Sequence, residues 1–258
     1  MILRPPLPRG PVCWTLVAML LATLPASAFD QTHARWGRVL DTVLSSNRVD
    51  YAGLKARPAE LDAYLAEVAA VPAAEFASWP RADRLALLLN LYNAATFRLI
   101  ADHYPVGSIR SIGTLPGAAW RLPVVRLGGQ LMTLDHLEHQ VIRAEYAEPR
   151  IHFALVCAAV SCPPLRPEPF AGARLDAQLD DQTRLFLADA DKNRLDAATG
   201  TLHLSPIFKW FKEDFTVGDR TLEAWVKPFL PADTARALGA ARRVKVKFTD
   251  YDWALNGR

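Results

Sequence analysis

The sequence predicts an α+β fold: a helix-rich single domain with a small, mostly antiparallel sheet. Three observations predict it. Apolar residues recur at helical spacing through most of the chain, strand-like runs are short and few, and no repeat, low-complexity tract or long linker divides it. Of the 258 residues 51% are apolar, which is enough to fill one core of ordinary size.

Residues 1–28 are set apart and read as an export signal. Arg4 and Arg9 precede any acid, residues 12–24 form an apolar run, and Ala26-Ser27-Ala28 is a small-x-small cleavage site. A run of 13 residues falls short of the roughly 20 that span a bilayer, which argues against the competing reading of an uncleaved anchor. Cleavage after Ala28 leaves residues 29–258 as the globular domain, in the periplasm or secreted. No other segment is long and apolar enough for a membrane helix, so no stable insertion is expected after cleavage. Removing Arg4 and Arg9 from the 30 basic residues leaves 28 against 27 acidic ones. That near-balance provides no electrostatic footprint for nucleic acid or anionic lipid.

The elements follow in order. Residues 30–72 read as helices around Trp36, Val39, Leu40, Val43 and Leu44, then Leu61, Leu65 and Val68, punctuated by Pro58 and Pro72. The strongest helix spans 80–103, with Pro80 at its first turn and Pro105 closing it. Arg84, Arg98 and Asp102 share one stripe there, so the rest is buried. Val124–Leu127 and Gln130–Thr133 flank Gly128-Gly129 as a hairpin. A helix follows, with Asp135 as its cap and Glu138 completing a capping box. Ile151 to Cys157 reads as a buried strand ending in the Ser161-Cys162-Pro163-Pro164 loop. Beyond it lie a helix over 174–190, a strand over 201–204 and an aromatic-rich helix over 206–215. Helices near 219–229 and 232–241 and an alternating strand over 244–248 complete the chain.

The candidate chemistry concentrates near the middle. Asn90 and Asn93 sit inside the buried helix, where an unpaired amide costs about 1–3 kcal/mol. They read either as a hydrogen-bond knot tying the helix to the sheet or as groups orienting a substrate or a histidine. Tyr92 reads as core. On a regular strand, His152 and Cys157 point to opposite faces, whereas Cys162 on the following loop can fold back toward His152. A thiol and an imidazole are the minimum for acyl transfer, and Asn90, Asn93 or Glu138 is a candidate to orient the ring. Against this, two thiols five residues apart in an oxidising compartment also suit a structural Cys157–Cys162 disulfide. His136, Glu138 and His139 lack the His-Glu-x-x-His spacing, and no further ligand cluster stands beside them, so no metal is expected. No phosphate loop and no Gly-x-Ser-x-Gly elbow is present, and no cofactor is expected.

Several motifs in order carry a family resemblance. They are Asn90-Leu91-Tyr92-Asn93, Leu134-Asp135-His136-Leu137-Glu138, Arg150-Ile151-His152-Phe153-Ala154-Leu155-Val156-Cys157, Ser161-Cys162-Pro163-Pro164-Leu165, Phe208-Lys209-Trp210-Phe211 and Tyr251-Asp252-Trp253-Ala254-Leu255-Asn256. Through them the chain resembles the domain of unknown function 547 family, with its core match over about residues 79–189. The resemblance implies no activity, and in that family a thiol does not always stand where Cys162 does.

Two functions therefore compete. The first is a thiol-dependent amide hydrolase or acyl transferase of the cell envelope, with Cys162 or Cys157 as nucleophile and His152 as base. The second is a non-catalytic binding or scaffold domain in which the asparagines, His152 and the 208–211 aromatics line a groove for a small-molecule, peptide or envelope ligand. A redox role for the cysteine pair is weaker, because the spacing is not Cys-x-x-Cys.

Overall fold

The computed structural model describes residues 29–46, 48–241 and 243–258, and the export-signal reading of residues 1–28 lies outside them. The amphipathic helix α1 (Ala34–Val43) buries Trp36, Val39, Leu40 and Val43. Strands β1 (Leu44–Ser45) and β2 (Arg48–Val49) pair as a minimal hairpin, and the Asp50 carboxylate then caps α2 (Tyr51–Ala56) by accepting the Gly53 N–H. Helices α3 (Ala59–Ala70) and α4 (Ala73–Ser78) lead to the central helix α5 (Arg81–His103). From Leu85 to Ala101 every residue of α5 except Arg98 is buried. Arg98 reaches Asp62 and Asp102 at the surface, as the narrow polar stripe of the sequence requires.

The hairpin of β3 (Pro123–Leu127) and β4 (Gln130–Thr133) turns through Gly128 at φ 58° and Gly129 at φ 79°. Both values lie in the left-handed region, which the two central residues of this turn must occupy and which glycine reaches at no steric cost. Next come α6 (Leu134–His136), a π-helical stretch over Leu137–Arg143 and α7 (Ala144–Tyr146). The cap here is Thr133, whose hydroxyl accepts the His136 N–H, and not Asp135. Glu138 completes no capping box, because its side chain points inward to Tyr92.

The expected strand over 151–157 is not formed. Pro149–Phe153 is a 3₁₀ helix with the Glu148 side chain accepting the Arg150 N–H, and the chain then runs irregularly to Cys162. An apolar run of this length cannot by itself separate a strand from a buried helical turn, and Pro149 suits the first turn of a helix. Among the described residues no strand pairs with this segment. Instead the Asn93 side chain donates to Ala154 O and accepts the Val156 N–H, satisfying backbone groups that a sheet would otherwise have satisfied.

The remainder comprises α8 (Leu175–Ala188), β5 (Arg194–Asp196), β6 (Thr201–Leu204), α9 (Ile207–Trp210), α10 (Lys212–Phe215), α11 (Leu222–Val226), α12 (Ala232–Ala240) and β7 (Lys245–Phe248). The aromatic-rich helix expected over 206–215 is thus two short helices broken at Phe211. Strand β6 is central in a three-stranded sheet, antiparallel to β5 and parallel to β7. The result is a helix-rich α+β fold with small, mostly antiparallel sheets.

Two hydrophobic clusters meet at the 3₁₀ helix. Ile151 and Ala154 join the larger one around α5, whereas Phe153 joins an aromatic cluster with Phe186, Phe208, Phe215 and Trp225. The chain after β7 then crosses back over the 158–161 loop. Ser161 N–H donates to Asp252 O, Val160 N–H to Ala254 O and Asn256 N–H to Ala158 O. It finally reaches the N-terminal hairpin, where Val49 N–H donates to Asn256 O and the Tyr51 hydroxyl to Asn256 Oδ1.

Candidate functional site

A cavity of about 290 Å³ opens where the two clusters and the C-terminal segment meet. Its wall includes Glu138, His152, Cys157 and Cys162, together with Tyr92, Phe211 and Tyr251. Four of the six candidates from the sequence therefore converge. Asn90 and Asn93 do not line the cavity: Asn90 exchanges two hydrogen bonds with the Phe170 backbone, and Asn93 holds Ala154 and Val156. They tie α5 to two loops, not to the sheet, and Asn93 thereby fixes the segment between His152 and Cys157.

His152 is fixed from two sides. Its ring stacks on Phe211 at 3.8 Å and 18°, and Nε2 lies 2.6 Å from Asp214 Oδ2. A carboxylate only accepts, so this partner assigns the hydrogen to Nε2 and leaves Nδ1 with the lone pair. Burial pushes the His152 pKa down, against the upward pull of the Asp214 bond and the nearby Glu138 charge. Arg143 grips Asp214 from the other side, with Nε at 2.7 Å and Nη2 at 2.8 Å. Burial works to raise the Asp214 pKa, but the hydrogen bonds from His152 and Arg143 outweigh it and hold the carboxyl well below its ordinary range. The group that orients the imidazole is thus Asp214, not Asn90, Asn93 or Glu138.

Glu138, His139 and Arg143 all project from the π-helical stretch. Such widened turns often sit at functional sites. Glu138 is 9% exposed, and its Oε2 accepts the Tyr92 hydroxyl at 2.9 Å. Tyr92, read from sequence as core, is therefore both core and cavity wall.

The two cysteines are free thiols in mutual contact, with Sγ atoms 2.9 Å apart. Cys162 Sγ also accepts the Cys157 N–H at 2.8 Å, and the Tyr251 hydroxyl lies 3.2 Å from Cys157 Sγ. Burial opposes ionisation of Cys162, yet donors from the Cys157 thiol, the Cys157 N–H and Tyr251 bring its pKa below the ordinary thiol value. Cys157 is driven the other way, first by its bond to Cys162 and then by burial. No hydrogen bond joins His152 to either sulfur; they share the cavity without touching. His136 is exposed, and among the described residues no group of three His, Cys, Asp or Glu is placed to hold a metal ion.

Sequence reasoning missed Asp214, Arg143 and Tyr251. Asp214 lies within the aromatic segment that drew attention, but 62 residues from His152, and no local spacing relates the two. Tyr251 belongs to one of the motifs quoted for the family, which was the available signal.

These features define a class: a helix-rich α+β protein whose cavity holds a carboxylate-bound imidazole beside a pair of thiols. Residues 76–187 match the family described as "Protein of unknown function, DUF547". Asp214 and Tyr251 stand outside the matched segment. No curated protein and no solved structure matches the chain.

Proposed function

We propose that the cavity performs thiol-dependent acyl transfer, as an amide hydrolase or acyl transferase. The observation that carries this reading is the pairing, in one cavity, of a carboxylate-held His152 with a Cys162 sulfur that receives two hydrogen bonds from Cys157. An acyl group bound between them would be attacked by Cys162 Sγ. The S–C bond forms as the bond to the leaving amine or alcohol breaks, and the thiol proton passes through His152 Nδ1 to the leaving group. Water, or an acceptor amine or hydroxyl, then attacks the thioester; His152 takes its proton, and the thiol is restored. Asp214 keeps the ring in the tautomer this requires.

The test is acetylation by p-nitrophenyl acetate, read by intact mass and peptide mapping. The acetyl group is expected on Cys162, absent from Cys162→Ser, and formed at least about tenfold more slowly in His152→Gln. Labelling that settles on lysines or Cys157, or that is indifferent to His152, would sink the reading. A second reading, a non-catalytic binding or scaffold domain, is favoured by one observation: Cys162 is only 4% exposed. It predicts ligand binding with no acyl-enzyme. Export completes the proposal, and sequencing the secreted or periplasmic protein should give Phe29 as its first residue.

A further inference from the structure

The cavity has a second chemical character, set by Glu138 and by a group of aromatic rings on its wall. Glu138 is buried, lines the cavity, and pairs with no basic side chain; apart from the bond from Tyr92 to Oε2, its Oε1 has no hydrogen-bond partner among the described residues. Arg143 and His152 lie near enough to feel its charge but do not bond it, and Oε1 is not among the buried polar atoms without a partner, so it is open to a ligand donor. Asp135 lies on the same wall, half exposed, with His139 Nε2 3.6 Å from its carboxylate. The same cavity is lined by Trp120, Trp210, Tyr251 and Trp253, packed with ring centroids 4.6–6.0 Å apart. Trp253 holds the Arg110 guanidinium 5.2 Å from its centroid, and tryptophan and tyrosine faces of this kind attract cations. Arg121, the arginine on the wall, is exposed and turned to Pro116 O.

We infer that the cavity takes a ligand bearing a compact organic cation, an ammonium or quaternary amine, seated between Glu138 and the tryptophan–tyrosine wall. This rests on the acyl-transfer reading in taking the same cavity as the ligand site, and it names the substrate class as an acyl donor or acceptor with an amine. An ammonium there would meet the open oxygen of Glu138 on one side and ring faces on the other, leaving the acyl portion toward Cys162 and His152.

Calorimetric titration with choline and with its uncharged isostere 3,3-dimethylbutan-1-ol tests it, using the Cys162→Ser protein so that no chemistry intervenes. Choline is expected to bind saturably and about tenfold or more tighter than the neutral alcohol. In Glu138→Gln that preference should fall to about twofold. Trp210 is 47% exposed, so Trp210→Leu leaves the core intact and should weaken choline about fivefold, deciding the matter if Glu138→Gln does not fold. Equal binding of the two probes, no saturable choline binding, or indifference of choline to Trp210→Leu would overturn the inference. Charge preference without acetylation of Cys162 in the unsubstituted protein leaves the cation site standing and removes acyl transfer. Acetylation without charge preference does the reverse.

Discussion

Replacing Asp214 with asparagine probes the node on which the imidazole depends. The carboxylate accepts three hydrogen bonds, one of 2.6 Å from His152 and two of 2.7 and 2.8 Å from Arg143. Hydrogen bonds to a charged group contribute about 1.5–3 kcal/mol each. Asparagine keeps one acceptor oxygen, and the 24% and 25% exposure of the Asp214 and Arg143 side chains lets water recover part of the loss. The net expectation is about 2–4 kcal/mol at pH 7, read as a lower urea midpoint at unchanged slope. The folded carboxyl titrates below its ordinary value, so its contribution is complete above pH ~4 and is lost as the pH falls through the folded value. The stability gap between the two proteins must therefore narrow in acid. Losing the anion also removes an upward pull on the ring, so the His152 pKa, followed by NMR, should fall further than burial alone already takes it. A gap below about 0.5 kcal/mol at pH 7, within the scatter of ordinary surface substitutions, would refute the assignment of Asp214 as the group that holds His152.

Other expectations follow from the same geometry. Asn93→Ala removes both partners of the Ala154 carbonyl and Val156 N–H and should cost about 2–5 kcal/mol in urea denaturation, with thiol reactivity rising as the 154–157 segment loosens. His33 is buried against Tyr64, and burial lowers its pKa from 6.5 to about 4. Its neutral form is thus fully compatible with folding above pH 6.5, and stability should decline by about 3 kcal/mol as the pH falls from there toward 4. His33→Asn, which tolerates the left-handed backbone at this position, should flatten that slope in urea titrations across the pH range. Iodoacetamide should alkylate Cys162 ahead of Cys157 once the cavity admits the reagent, because only Cys162 has its pKa lowered; peptide mapping that finds Cys157 modified first would reverse the assignment of the two thiols.

The parts of the fold legible in the sequence are those whose cause is local. The helix over 81–103 announces itself through one polar stripe on an otherwise apolar cylinder, and the β3–β4 hairpin through two glycines that enter its left-handed turn without strain. The segment after Pro149 was not legible, because its residues divide between two cores and its backbone is satisfied by a side chain from α5. Of the candidate site, Glu138, His152, Cys157 and Cys162 could be picked out by residue type, but Tyr92, Asp214 and Tyr251, which they contact, come from elsewhere in the chain. Asp214 sits where α10 happens to pass the 3₁₀ helix, and Tyr251 arrives from beyond the last strand. Both follow from tertiary packing that no residue spacing encodes.

The C-terminal segment gives the cavity a particular order of assembly. Tyr251 and Trp253 supply part of its wall, and the residues after them are stitched to a hairpin some two hundred positions earlier. A growing polypeptide can form α5, seat the 3₁₀ helix and bring the two sulfurs together well before residue 251 is made. A chain that stops short of Tyr251 would present the two sulfurs without the hydroxyl and the rings that this segment contributes to the chamber.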